Sequence, residues 1–293
     1  MSFSAIEGEI KMLDNVHLRV FMARWRKINP SHWVHHDLQD FFWRLYLNKT
    51  DGAFIKITNP NQDSTPSEFE TYHLEAGKAY FIPAGVRFST GTDREIDHFH
   101  VHFDVMGMPD LAMRTLFNSP ICLPSYDWMQ QIILNLTGEV GTDQELVNKV
   151  DLKLEMQVKA LLYQGLTLYI NTLPAEQLAQ PLQIAIDQKP ILPAVTFINN
   201  NLALPLQNSE LAQLCQMSEG YFLHRFKECM GQTPGEFIRE KRVKLAAQKL
   251  LLTTESIEQI AVSTGFGSRF YLTRIFTRSI GLSPAAYRKI KMA

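Results

Sequence analysis

"GFGSRFYLTRIFTRSIGLSPAAYR", residues Gly265 to Arg288, holds four arginines and no acidic residue. Its apolar residues recur every three or four positions, the spacing of an amphipathic helix. Leu272, Ile275 and Phe276 share one face, while Ser268, Arg269, Thr273, Arg274 and Thr277 point elsewhere. The first face suits burial. The second suits a partner rich in negative charge.

The surrounding charge sharpens this reading. The 293-residue chain has a formal net charge of −1, but residues 191–293 carry 13 Lys/Arg against 7 Glu. Residues 1–190 carry 16 Lys/Arg against 23 Asp/Glu. A basic C-terminal third is an electrostatic footprint for phosphate, most economically nucleic acid; a basic surface that only aids solubility has the same composition.

The stretch also belongs to a repeat. "NSELAQLCQMSEGYFLHRFKECMGQTPGEFIR" and "TESIEQIAVSTGFGSRFYLTRIFTRSIGLSPAAYR" each give a short helix, a turn and a second helix ending in Phe, then Gly, a gap and Pro. Phe226–Gly231–Pro234 matches Phe276–Gly281–Pro284 in spacing, and Ser218 and Ser268 open the second helix of each, so the units repeat at 50 residues. Helix, tight turn and helix is the helix-turn-helix outline, and two in tandem on a basic background weigh more than one. Arg suits bidentate contact with guanine, and Ser and Thr suit phosphates.

These residues resemble the AraC/XylS family of bacterial transcription regulators, over roughly Leu192 to Arg288. The resemblance implies two helix-turn-helix units joined by a helix, here "PGEFIREKRVKLAAQKLLL", with recognition helices at Ser218–Lys227 and Ser268–Arg278. By that resemblance the DNA-binding candidates are Gly220, Leu223, His224 and Lys227 in the first, and Ser268, Arg269, Phe270, Thr273, Arg274 and Arg278 in the second. The chain departs from the family pattern at Thr277, where Lys is usual. Gly220 and Leu223 stand where polar residues are commoner, and Arg225 stands where an apolar one is.

Residues 1–105 read as β. "DFFWRLYLN", "AFIKITN" and "HFHVHFDV" are short runs of aromatic and branched residues, punctuated by turn clusters such as "TDG" and "IPAG". Many short strands suggest a sandwich or barrel. "LEAGKAYFIPAGVRFST" with "DHFHVHFDV" resembles the turns and strand of the cupin-like sensor barrel that many such regulators carry.

Eight of nine histidines lie in residues 1–102, and His98, His100 and His102 alternate along one strand, so they share a face. Three readings stay open: a pocket for a small polar ligand, satisfied core groups, or a metal site joined by His32, His35 or His36. The metal-binding cupin pattern, HxH with a nearby Glu, is absent, so no metal is expected. Trp43, Arg44 and Tyr46 could add stacking and an anion or hydroxyl contact to His98, His100 and His102. Trp43 and Arg44 alternate, however, so both face one cavity only if the strand is bulged; otherwise Trp43 is core and Arg44 surface.

Past residue 125 the period becomes helical. Leu146, Val150, Leu154, Val158, Leu161, Leu162, Leu166 and Tyr169 form a continuous stripe that suits packing on the barrel and pairing with a second copy. "LPAEQLAQPLQIAIDQKPILP" carries four prolines and reads as a linker.

The fold class expected is α+β multidomain: a cupin-like effector-sensing β-barrel over 1–125, a helical dimerisation segment over 126–172, a linker over 173–190 and an all-α DNA-binding domain over 191–293. No apolar run is long enough for a membrane span, no signal peptide is evident, and three scattered cysteines (Cys122, Cys215, Cys229) suit a reducing cytoplasm. The expected partners are double-stranded DNA, a small polar effector such as a sugar, a second copy of the chain and RNA polymerase; activation is the expected sign. No cofactor is expected, and with no nucleophile motif or glycine-rich phosphate loop no enzyme is expected. The alternatives are a metal-binding cupin enzyme fused to a DNA-binding domain, and a ligand-independent DNA binder.

Overall fold

The computed structural model describes residues 16–39, 41–58, 69–108, 110–124, 126–129, 132 and 152–290. The chain divides into two units, Met1–Ala179 and Gln180–Ala293.

Among the described residues the first unit holds nine strands: β1 His17–Ile28, β2 His35–Gln39, β3 Trp43–Asn48, β4 Ala53–Thr58, β5 Phe69–Leu74, β6 Ala79–Ile82, β7 Arg87–Thr92, β8 Ile96–Met106 and β9 Ile121–Leu123. They form a five-stranded sheet in the order β1-β8-β3-β6-β9 and a four-stranded sheet in the order β2-β7-β4-β5, all antiparallel. Ile28, Tyr46, Ile82 and Ile96 of the larger sheet pack with Ile55, Leu74 and Phe88 of the smaller one, so the sheets face each other across a shared interior.

Strand alternation sends the other side chains of the larger sheet outward. Trp25, Trp43, Leu45, Phe99, Val101 and Phe103 form a second core with helix α2, Leu152–Ile170. A shorter helix, α1, covers Asp110–Leu116. In α2, Leu154, Val158, Leu161, Leu162 and Leu166 are buried in that core. These stripe residues, expected also to pair two copies of the chain, are thus used within the unit, because a sheet face of this length must be covered. Leu146 and Val150 lie outside the described residues.

The stretch 173–190, expected to be a linker, is helical: α3 covers Ala175–Gln188. Its prolines explain the difference. Pro174 precedes the helix, and Pro190 and Pro193 stand at the first turns of the next two helical pieces, where no intrahelical N–H is needed. Only Pro181 lies within α3.

The second unit continues with α4 Leu192–Asn200, α5 Asn208–Leu214, α6 Glu219–Met230, α7 Pro234–Leu252, α8 Ile257–Ser263, α9 Arg269–Ile280 and α10 Pro284–Ile290. Capping boxes start α7 (Thr233 with Glu236) and α8 (Ser256 with Gln259). Gly231 and Gly281, at φ 70° and 82°, end α6 and α9 in the left-handed conformation that glycine adopts without Cβ strain. Helix α7 touches α6 on one side of the repeat and α8, α9 and α10 on the other. Its Arg242 donates from Nε to the Leu202 carbonyl at 2.9 Å and from a terminal nitrogen to the Leu204 carbonyl at 2.8 Å.

The repeat is finer than a uniform 50 residues. Leu211 and Ala212 match Ile260 and Ala261 in burial, and Met217 N→Ala212 O matches Phe266 N→Ala261 O, both at an offset of 49. Phe222 and Phe226 match Leu272 and Phe276 at 50. Gly267, at φ 73°, is the inserted residue. The residue before it in each turn that takes a left-handed conformation is Gln216 (φ 56°) in one unit and Gly265 (φ 80°) in the other.

Candidate functional site

Two sets of side chains are placed for chemistry, one on each unit.

On the helical unit, α9 buries Leu272, Ile275 and Phe276 and exposes Arg269, Phe270, Arg274 and Arg278; Thr273 is half-buried. Ser268 caps the helix, its Oγ accepting from Tyr271 N at 3.3 Å. The Arg274 guanidinium lies 5.4 Å from the Tyr271 ring centroid, and that ring meets Phe266 edge-on at 5.7 Å. Tyr271 therefore holds Arg274 over the exposed face, a positioning role the sequence reading did not assign. Phe270 is 87% exposed, far more than a ring at a packing position would be.

The first helix is different. On α6, Gly220, His224 and Lys227 are exposed and Leu223 is half-buried against the domain core. His224 Nε2 lies 3.1 Å from Glu228, and Arg225 Nη1 is 3.4 Å from the same carboxylate. Arg225 also donates to the Asp187 carbonyl at 3.4 Å, which explains a cation where an apolar residue is usual. Tyr221, at the repeat position of Tyr271, is 57% exposed and was likewise not singled out from sequence.

On the first unit, Arg44, Tyr46, His98, His100 and His102 share the inward face of the larger sheet: Tyr46 pairs with His100 and Arg44 with His102 across β3 and β8. The expectation that Arg44 would be surface if Trp43 is core is corrected in part. Trp43 is core, against Phe103 and Phe117 on the opposite face, so it cannot join the histidines; Arg44 is inside, 6% exposed, stacked on Phe42 and Phe88. No bulge is needed, because the alternation of β3 is regular.

His98 stacks on His100 with ring centroids 5.4 Å apart, and His100 lies 5.3 Å from His102. The rings run in a row along the strand instead of converging on a point, and among the described residues no three His, Cys, Asp or Glu side chains are grouped to hold a metal ion. His32 and His36 are exposed; His35 is half-buried, in register with Thr90. Burial, then the Arg26 guanidinium, lowers His98 to about 3. Burial, then the neighbouring His102, His98, Arg26 and Arg24, holds His100 well below its ordinary value; burial and Arg44 do so for His102, which is half-buried. The row is therefore neutral at ordinary pH and can both donate and accept hydrogen bonds.

Sequence reading missed Arg24, Arg26 and Asn48 on this face. The available signal was the alternation in β1, "HLRVFMARWRKI", where cations occupy every second position opposite Ala23 and Trp25.

Comparison with known proteins agrees with this division. A helix-turn-helix domain family matches residues 211–290. Regulatory protein SoxS of Escherichia coli K12 is 32% identical over 101 residues, 34% of this chain and 94% of that protein. An uncharacterized HTH-type transcriptional regulator of Haemophilus influenzae is 25% identical over 238 residues, 74% of this chain and 80% of that protein. Several other curated relatives are matched over only about a third of their own length (30%, 33% and 31%). The crystal structure of ToxT from Vibrio cholerae O395 superposes with a TM-score of 0.51 at 11% identity, covering 96% of this chain and 99% of that one, a likeness of fold that extends over both units. Among the described residues no helix is long and apolar enough to cross a membrane.

Proposed function

Since the chain belongs to the AraC/XylS family of transcription regulators, we propose that it is an effector-responsive activator that grips its operator chiefly through α9. That it is a transcription regulator with DNA-binding helix-turn-helix units follows from the family. The finer reading rests on one observation: the exposed face of α9 carries Arg269, Arg274 and Arg278 with no acid, while its other face is buried. Arg274 is assigned to a base edge, Arg269 and Phe270 to the groove near the helix N-terminus, and Arg278 to phosphate. Ser268, Thr273, Gly220, Leu223, His224 and Lys227 fill the remaining contact positions.

The first unit is read as the sensor, its ligand a small polar metabolite held by Arg44, Tyr46, His98, His100 and His102. The DNA-bound form is read as a dimer that recruits RNA polymerase in the cytoplasm. Because the stripe of α2 is buried in its own unit, the dimer surface is assigned to the opposite side of that helix, where Leu152 and Met156 are 72% and 61% exposed. Met156→Asp is expected to give a monomer by sedimentation with folding intact; a mutant that stays dimeric removes this surface.

The decisive experiment is a binding titration of the full chain on promoter fragments at several salt concentrations. Log K should fall with log salt at a slope of about −0.9 per phosphate neutralised. A chain with no DNA affinity at low salt ends the reading.

A further inference from the structure

Asn48 ends β3 on the inward face of the larger sheet, in register with His98 of β8. Its buried side chain is held at both ends. Nδ2 donates to the Leu74 carbonyl at 3.2 Å, and Oδ1 lies 2.8 Å from His98 Nδ1. A carbonyl can only accept, so the amide nitrogen must face Leu74 and the amide oxygen must face the imidazole. That oxygen also accepts and cannot donate, so the proton of the ring sits on Nδ1. Burial, with Arg26 alongside, keeps His98 neutral, which leaves Nε2 bare.

The ring is hemmed in where it stands. Trp33, Tyr46 and His100 lie against it with ring centroids 5.0, 4.8 and 5.4 Å away. A half-turn of the imidazole would set a carbon against Asn48 Oδ1 and lose that bond. Nε2 is buried and has no hydrogen-bond partner among the described residues. As the bare nitrogen of an Nδ1–H imidazole it accepts and does not donate, so whatever meets it must bring the proton. A charged donor such as an ammonium would also need a buried counter-charge, and among the described residues no Asp or Glu is buried. A hydroxyl needs none.

We propose that Asn48 is a positioning residue that fixes the tautomer of His98, and that His98 Nε2 thereby selects a ligand that donates a neutral hydroxyl to it. The proposal rests on the sensor reading of this unit and deepens it. At one point of the ligand the site tells a hydroxyl from an ether, a carbonyl or a fluorine.

The tautomer is read first, by NMR of the imidazole nitrogens in the ligand-free full chain. His98 Nδ1 is expected in the protonated range and Nε2 in the unprotonated one; the reverse overturns the proposal and leaves effector sensing standing. Asn48→Leu should release the ring to the Nε2–H form, which lost packing alone would not do. If that variant does not fold, the wild-type resonances still decide. Glucose and galactose are then titrated against their monodeoxyfluoro derivatives, in which fluorine replaces one hydroxyl at a time and cannot donate. At least one derivative of a bound sugar is expected to bind at least tenfold more weakly than its parent, and the parent should shift the Nε2 resonance of His98. In Asn48→Leu that gap should close. Derivatives that all bind like their parent, or a parent that leaves Nε2 unshifted, overturn the proposal and leave sensing standing. So does a ligand without a hydroxyl from a wider metabolite screen; a hydroxylated one is put through the same comparison. If the wider screen yields no ligand, the sensor reading falls and the selection with it, while the resonances still judge the tautomer.

Discussion

Helices Glu219–Met230 and Arg269–Ile280 are each 12 residues long, begin after a serine and end at a left-handed glycine. Both bury an aromatic or aliphatic pair, Phe222 with Phe226 and Leu272 with Phe276. Their exposed faces have diverged. The first carries Glu219 and Glu228 beside Arg225 and Lys227, and Glu228 draws in both His224 and Arg225. The second carries three arginines and no acid, with Arg274 propped on Tyr271. The buried face of a repeat is held by packing, whereas its exposed face is free to follow the partner. On the proposed reading the interface has unequal halves, with most of the attraction for phosphate on the second.

The largest test of that comparison lies in the two turns. A Cβ at Gly265 would collide with the Leu202 carbonyl oxygen and the Arg242 guanidinium, at a φ of 80° that already disfavours a side chain. Gly265→Ala should cost about 3 kcal/mol by calorimetry of the C-terminal transition. A loss under about 1 kcal/mol would mean that the turn relaxes and the two turns are equivalent.

Next come the recognition helices. Arg274→Ala should cost about 1–3 kcal/mol on the operator and relax preference at one base pair. His224→Ala, which removes a side chain already paired with Glu228, should cost less than about 0.5 kcal/mol. Equal losses in a binding titration would erase the asymmetry. If Arg274→Ala weakens every sequence alike, base reading passes to Arg269, Phe270 or Thr273.

A smaller effect of opposite sign is expected at Gln216, which takes a left-handed conformation with a side chain where the second turn uses glycine. Gln216→Gly should stabilise the domain by about 0.5–1 kcal/mol. A loss of stability would show that the Gln216 side chain makes up for its strain. The smallest change belongs to Arg278, exposed in the last turn of α9: Arg278→Ala should weaken all sequences alike and lower the salt slope by about one unit. An unchanged slope would take Arg278 off the phosphate backbone.

What the sequence made legible depended on how local the signal was. The inward row of His98, His100 and His102 followed from the two-residue period of one strand, and the face of α9 from the period of one helix. The α2 stripe had the right period too, but a period says that a face is buried and not what covers it; here the cover is the unit's own sheet. The stretch expected as a linker contains the boundary between the two units but is helical, since most of its prolines sit where a helix start tolerates them. Arg24 and Arg26 alternate with Ala23 and Trp25 in β1, but only the register with β8 puts both beside histidines. The one-residue insertion at Gly267 was hidden because the serines and phenylalanines align at 50 while the preceding helices align at 49.

Arg242 and Gly265 have a consequence for the operator. Arg242 ties the connecting helix to the chain at Leu202 and Leu204, and Gly265 brings the second turn against the same carbonyl and guanidinium. The separation between α6 and α9 is thereby set by close-packed atoms and not by a flexible tether. On a duplex that turns once in about 10–10.5 base pairs, such a pair measures helical phase. Five base pairs inserted between the two contacted elements would carry the one meant for α6 to the far side of the DNA. On the proposed reading the protein would then keep α9 in its groove and lose the α6 contacts, which makes the operator's spacing as binding as its letters.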